Sequence, residues 1–272
     1  MPTGFHVRHD LAPIPTYELL TLLNASSKGQ TQQDLQYLAD LNGYKLRQRK
    51  DYYKLLLSLV ELELISDSGH IYKLTPIGRV IAQIVIYQQD LLPDFIHFLY
   101  YTCFDLDPKK RFSWSYRQVC DFLWHSAPIA INRDRLVNLV TRDATQVFNL
   151  SGVSFSKSSI AGILNWLLEL SPPCIAQQDK GQIFTRREYC SIEIFALALN
   201  HIFLLHKQNE PVSIPLTPEM RDVVSRICLI TPDAFSDMLS KVEATFSNIH
   251  IRRERGERFY VKNFSWSTLE EN

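Results

Sequence analysis

Residues 31–78, TQQDLQYLADLNGYKLRQRKDYYKLLLSLVELELISDSGHIYKLTPIG, limit the fold of this chain more than any other stretch. Thr31 is placed to cap a helix over 32–41, in which Leu35, Leu38 and Leu41 recur on one face at helical spacing. Asn42-Gly43 ends it, because both residues tolerate the left-handed backbone that stops a helix. A second helix is expected over 46–61, with Lys45, Arg47, Arg49, Lys50 and Lys54 near its start and Leu55, Leu56, Leu59 and Val60 in its later half. Residues 64–74 then alternate around Ser68-Gly69 as a hairpin, and Thr75-Pro76-Ile77-Gly78 stops it. Helix, tight turn, basic helix and hairpin, in that order, make a winged helix-turn-helix module.

A helix that is basic at its N-terminal end and apolar at its C-terminal end suits insertion into a groove. Its first turns reach bases and phosphates while its tail stays buried. On that reading Lys45, Arg47, Gln48, Arg49 and Tyr52 enter a major groove, and Lys50 and Lys54 meet phosphates. Gln48 is the expected base reader, since an amide pairs bidentately with adenine. Two other readings stay open: the module docks another protein, or the basic run is an ordinary solvated face.

Net charge separates these readings only in part. The 29 basic and 29 acidic residues cancel, so any case for nucleic acid rests on local charge. At 272 residues the chain is long for a single core and fits two or three small domains. Only 9 glycines argue against a sheet-rich or phosphate-cradling design. The 5 cysteines (Cys103, Cys120, Cys174, Cys190 and Cys228) are scattered and odd in number, which suits a reducing cytosol rather than a disulfide framework. The start, MPTGFHVRHDLAPIP, lacks the apolar run of a signal peptide, and no stretch approaches the roughly 20 apolar residues that span a bilayer. The expectation is a cytoplasmic protein with no membrane partner.

Taken in order, the chain reads as an extended arm over 1–15, a winged helix-turn-helix domain over 16–88, a helical middle domain with a winged-helix-like hairpin over 89–210, and a C-terminal winged-helix-like module over 211–272. A first helix covers 16–23, and Pro76 opens another over 77–88. The apolar, aromatic run 90–104 reads as a buried connecting helix. Ser113 is expected to cap a helix over 114–125, and Asn132 one over 133–148 with Leu136, Leu139, Val140 and Val147 inward. Ser156 caps a further helix over 160–170, and a second hairpin over 174–186 turns at Asp179-Lys180-Gly181. After a helix over 191–206, Thr217 and Thr231 introduce the last helices, and a third hairpin runs 249–261. Three helix-pair-plus-hairpin units, at 16–76, 113–187 and 217–264, thus repeat in architecture without a shared sequence motif. The fold class is mainly α with short β-hairpins, two or three winged-helix-like modules in series.

A second basic cluster lies on the last hairpin: Arg252, Arg253, Arg255, Arg258 and Lys262, against Glu254 and Glu257. Three readings stay open for such a tip: it follows a phosphate backbone or enters a minor groove, it pairs internally as a solvated hairpin, or it forms a protein interface. Pro93-Asp94 followed by Asp107-x-Lys109 matches the loose Pro-Asp…Asp-x-Lys pattern of restriction-type nucleases, but Asp94 sits in a helical run and Pro108 stands where a strand should continue. The 8 histidines show no zinc spacing, and phosphate-binding loops and esterase elbows are missing. The expectation is a protein that is not an enzyme and has no cofactor or metal.

Leu74-Thr75-Pro76-Ile77-Gly78 ends the first hairpin, and the aromatic helix around 95–101 and Phe112-Ser113-Trp114-Ser115-Tyr116 follow it. An arginine-bearing helix around 133–142, then Ile183-Phe184-Thr185-Arg186-Arg187 and Glu193-Ile194-Phe195-Ala196-Leu197-Ala198, complete a run over 70–205. In this order of features, about half the chain resembles an uncharacterised prokaryotic family often encoded near DNA-phosphorothioation and other antiphage defence genes. The resemblance implies a role beside DNA-modifying or DNA-restricting machinery and carries over no catalytic residues. The reading is therefore a double-stranded-DNA-binding protein, a transcriptional regulator or the DNA-recognition subunit of a defence system. The alternative is an adaptor whose winged helices dock subunits of a larger complex.

Overall fold

The computed structural model describes residues 4–7, 12–26, 28–44, 49–179, 181–206, 213–253, 257–262 and 264–269, with the side chains at 49–51 left aside. The chain is mainly helical, with three small antiparallel sheets among the described residues. The first sheet gathers β1 (Gln30–Thr31), β2 (Ile65–Asp67) and β3 (Ile71–Leu74) in the order β1-β3-β2, after α1 (Pro13–Asn24) and around α2 (Gln32–Leu41) and α3 (Arg49–Glu61). Helices α4 (Pro76–Tyr87), α5 (Leu92–Leu106), α6 (Arg111–Ser126), α7 (Arg133–Val147) and α8 (Lys157–Glu169) follow, with β4 (Ile129–Ala130) between α6 and α7. With β5 (Ile175–Gln178) and β6 (Gly181–Phe184), β4 forms the second sheet, β4-β6-β5. After α9 (Ile192–His206), the third sheet is β7-β9-β8, from β7 (Ile214–Pro215), β8 (Ile249–Arg252) and β9 (Arg258–Val261), with α10 (Pro218–Cys228) and α11 (Phe235–Thr245) between.

The hairpins expected from alternation are present, and each gains a third strand that the sequence did not announce. Strands of two residues have no period to detect. A capping residue closes β1 and stands two residues past β4 and β7. The side chains of Thr31, Asn132 and Thr217 accept from the backbone N–H of Asp34, Arg135 and Met220, so α2, α7 and α10 all begin on the same bond. Several helix ends differ from expectation. Proline is favoured in the first turn, so α1 starts at Pro13 rather than at 16. Ser113 lies inside α6, fully buried, and its hydroxyl accepts from the N–H of Phe104 at 2.9 Å instead of capping a helix. The Ser156 side chain makes no cap bond. Leu41 and Val147, expected inward, are 65 % and 62 % exposed, because Leu35 with Ala39, and Leu136 with Val140 and Ala144, already complete the buried stripes.

The chain divides into two compact units, Met1–Val119 with Asn132–Leu170, and Cys120–Ile131 with Ser171–Asn272. In the first, α5 is buried along most of its length and carries polar groups with it: Asp94, His97 and Thr102. His97 Nδ1 pairs with the Tyr116 hydroxyl at 2.9 Å, which gives that ring nitrogen and the hydroxyl a partner away from water. Phe5 and Val7, from the expected arm, are buried here; the Phe5 ring meets Trp114 and Phe148 edge-on at 6.0 and 5.2 Å. In the second unit α9 packs on α10 and α11, with Phe195 against Phe235 at 5.3 Å and Phe203 against Phe259 at 6.0 Å. Arg187 is buried there, and its guanidinium donates to the carbonyl of Cys228, the last residue of α10, at 2.6 Å. That places a cation at the negative end of a helix.

Candidate nucleic-acid interface

Of the residues expected at DNA, Arg49, Lys50, Tyr52 and Lys54 belong to α3, in the module it forms with α2 and the β2–β3 hairpin. Thr31 and Asp34 form a reciprocal capping box: the Asp34 N–H donates to Thr31 Oγ1 at 3.2 Å, and the Thr31 N–H donates to Asp34 Oδ2 at 2.9 Å. Hydrogen bonds from the Thr31 hydroxyl, then from its backbone N–H, hold the Asp34 carboxyl below the ordinary carboxylate range. Past the end of α2, Gly43 takes φ +67° and the N–H of Tyr44 reaches back to Ala39 at 2.9 Å, so the turn at Asn42-Gly43 is as the sequence indicated.

Tyr52, Leu55, Leu56 and Leu59 form the buried stripe of α3. Tyr52 therefore does not enter a groove as expected. Its ring completes the i, i+3, i+4, i+7 pattern of the apolar face and is 4 % exposed. Its hydroxyl has no hydrogen-bond partner among the described residues, and burial drives its pKa far above the usual phenol range. Tyr72, on β3, is shifted the same way, by burial first and then by the nearby Asp67 and Tyr53. Tyr53 is 47 % exposed and Lys54 half-buried. Arg49 and Lys50 form the first residues of α3. Lys45, Arg47 and Gln48 lie outside the described residues, as does Arg255.

The structure adds polar residues that the basic pattern concealed. A cleft of about 410 Å³ lies between the start of α2 and the hairpin turn, lined by Thr31, Gln32, Gln33, Gln36, Gly69 and His70. Gly69 and His70 both adopt positive φ, +65° and +63°, and the turn is held by the His70 N–H donating to Asp67 Oδ1 at 2.8 Å. Amide side chains carry donor and acceptor together, the combination that reads base edges. The signal available in the sequence was the glutamine run at 32, 33 and 36, masked by the stronger charge pattern after it.

The last hairpin holds its cations differently. Arg252 is exposed, and it faces Arg258 across the strand pair. Arg253 pairs with Glu243 at 2.8 Å, which raises its already high pKa, and approaches Glu257 at 3.9 Å. Arg258 donates to the hydroxyl and the carbonyl of Ser213, and Arg221 pairs with Glu257.

The nuclease-like residues stand apart. Asp94 is in the first turn of α5 and Asp107 just beyond its end, so the two are roughly 20 Å apart at 1.5 Å per residue. Asp107 instead accepts from the N–H of Lys109 at 3.0 Å, a local turn. Among the described residues no three or more His, Cys, Asp or Glu side chains are grouped to hold a metal ion, and no helix is long and apolar enough to cross a membrane.

No protein-family model matches this sequence, and no curated protein matches it. Two solved structures do share its fold. A crystal structure of SspB aligns with TM-score 0.61 at 14 % identity, covering 98 % of this chain and 87 % of that one. A magnesium-ion-bound crystal structure of SspB aligns with TM-score 0.62, again at 14 % identity and with the same coverage.

Proposed function

We propose that this chain binds double-stranded DNA through a winged helix made of α2, α3 and the β2–β3 hairpin, as a regulator or as the recognition subunit of a prokaryotic defence system. The observation that carries the proposal is the strand order β1-β3-β2, with Gln30 opposite Tyr72. This register brackets α2 and α3 between the first strand and the hairpin, the order of parts in a winged helix. In this reading the α3 start supplies phosphate and base contacts through Lys45, Arg47, Gln48, Arg49, Lys50 and Lys54, while Gln32, Gln33, Gln36 and His70 line the approach. Tyr52 supports α3 from within. The other two sheets are read as winged-helix-like modules by the same strand order. The defence context comes from the family resemblance over 70–205, and the role is cytoplasmic binding rather than catalysis.

A titration of a mixed duplex pool by fluorescence anisotropy across a salt series tests this. Wild type is expected to bind with affinity falling steeply as salt rises. In an Arg47→Glu, Arg49→Glu, Lys50→Glu variant the log–log slope should flatten by about 2 to 3, at roughly 0.9 for each phosphate no longer neutralised. Absence of binding by wild type at low salt would overturn the reading.

An adaptor role is favoured by a separate observation. Tyr37 and Leu41 are each 65 % exposed on α2, an apolar pair among exposed residues that are otherwise polar (Gln33, Asp34 and Asp40). Duplex binding that is absent while a subunit is retained in a pull-down, and lost on Tyr37→Ser with Leu41→Ser, would select it.

A further inference from the structure

A second cleft in the same module shares no residue with α3. About 330 Å³ in volume, it is lined by Leu23, Asn24, Ser26, Lys73, Leu74, Arg79 and Gln83. Two cations converge on it from different elements, Lys73 from β3 and Arg79 from α4, and Gln83 follows Arg79 by one helical turn. Among the described residues no carboxylate lines the cleft, and the first turn of α4 carries no acid. Among the described residues, neither Lys73 nor Arg79 forms an ion pair.

Lys73 is also positioned. Its aliphatic stem lies over Gly29, where a Cβ would come within 2.6 Å of Lys73 Cε and 2.7 Å of Cγ. Gly29 itself takes φ +65°, a conformation that L side chains rarely adopt. The glycine thus leaves the space that the stem fills beside the cleft. Two cations without counter-ions among the described residues, with Asn24, Ser26 and Gln83 as neutral hydrogen-bonding groups, form a lining suited to several oxygens of one anion.

From this lining we infer that the Lys73–Arg79 cleft is a binding site for phosphate groups. Among the described residues the lining includes no aromatic ring on which a base could stack, and the phosphate is what the site recognises. The volume is at the lower end of ligand pockets and suits a group of pyrophosphate size. Such a group is supplied either by a free phosphate compound or by the backbone of a polynucleotide.

Calorimetric titration with sodium pyrophosphate at low salt, beside anisotropy titration with a labelled duplex, separates the two sources. The 272-residue chain is compared with a Lys73→Gln, Arg79→Gln double variant and with Lys73→Arg, which keeps the charge. Both substituted side chains are exposed, and thermal melts of each variant check that the fold is unchanged. Pyrophosphate binding by wild type, at least ten-fold weaker in the double variant and within about three-fold in Lys73→Arg, assigns the site to free phosphate compounds. A duplex affinity reduced ten-fold by the double variant, without pyrophosphate binding, assigns it to a polynucleotide backbone. Equal behaviour of wild type and double variant toward both probes overturns the site. Pyrophosphate binding with no duplex binding would leave the cleft standing while the DNA reading fails; duplex binding lost only in the α3 triple variant would do the reverse.

Discussion

The first and last sheets share one strand order, β1-β3-β2 and β7-β9-β8, yet they treat their charged residues in opposite ways. In the last module Arg221, Arg253 and Arg258 are held by Glu257, Glu243 and Ser213. In the first, Lys73 and Arg79 face a cleft with no acid in its lining among the described residues, and in the sequence a basic run precedes α3. The inner faces differ as well. The central strand of the last sheet buries Phe259, whereas that of the first buries Tyr72, in the module where the Tyr52 hydroxyl has no partner among the described residues. A shared topology does not fix a shared role. Whether a cation can meet a phosphate depends on whether a neighbouring carboxylate already holds it, and on how much of its charge survives screening.

The largest effect should come from removing the core that supports the last hairpin. Phe259→Ala is expected to cost about 3 to 5 kcal/mol in chemical denaturation, the range for a large buried aromatic. If the substitution leaves duplex binding unchanged, the last sheet is not a second reader.

Gly78→Ala should be the next largest. A Cβ at this position would lie 1.8 Å from the carbonyl oxygen of Leu64, and the backbone rather than a flexible side chain must give way. A loss of about 1 to 3 kcal/mol is expected from such overpacking. Because this joint fixes the hairpin against α4, duplex and pyrophosphate binding should weaken together; a variant that melts lower but binds both as wild type would separate the hairpin from both sites.

A smaller effect is expected at the cap of α2. Thr31→Ala should cost about 1 kcal/mol by loss of the side-chain cap. It also removes the hydroxyl that donates to the Asp34 carboxyl, the larger cause of a pKa below the ordinary aspartate value, and leaves the backbone N–H of residue 31 in place. A depressed carboxylate contributes stability above its unfolded pKa and loses it as pH falls through the folded value. The wild-type advantage over Thr31→Ala should therefore be present from about pH 5 upward and shrink below about pH 4. A carboxyl titration by NMR that finds Asp34 unchanged by the substitution would contradict the capping box.

The smallest change tests the contrast itself. Glu243→Gln with Glu257→Gln releases Arg253 and Arg221 without altering the strands. If carboxylates are what silence the last hairpin, the salt slope of duplex binding should steepen by about 1 to 2, at roughly 0.9 per arginine recruited. An unchanged slope would show that the hairpin is out of reach of DNA for geometric reasons.

Much of the local structure was legible because short-range chemistry governs it. Thr31, Asn132 and Thr217 cap where a hydroxyl or amide precedes an amphipathic run, and Asn42-Gly43 turns where only a permissive backbone can. The strand pairs β2–β3, β5–β6 and β8–β9 follow from alternation; Lys180 and Arg255-Gly256, in the turns expected for the last two, lie outside the described residues. Tyr52 and Leu41 show the limit: each sits where helical spacing allows either face, and the neighbours that fill the core first decide which is buried. Ser113 shows it again, since a serine before an apolar run caps a helix unless a nearby N–H, here that of Phe104, claims its hydroxyl.

The sequence by itself determined the helical class, the three hairpins and the placement of a basic run at the head of α3, because periodicity, capping and turn chemistry act over a few residues. Tertiary structure alone decided that strands as short as Gln30–Thr31, Ile129–Ala130 and Ile214–Pro215 would turn each hairpin into a sheet. It also decided that Lys73 and Arg79 would share a cleft while Arg253 would be held by Glu243. Those outcomes depend on partners distant in sequence, whose pairing is set by packing and not by any local pattern.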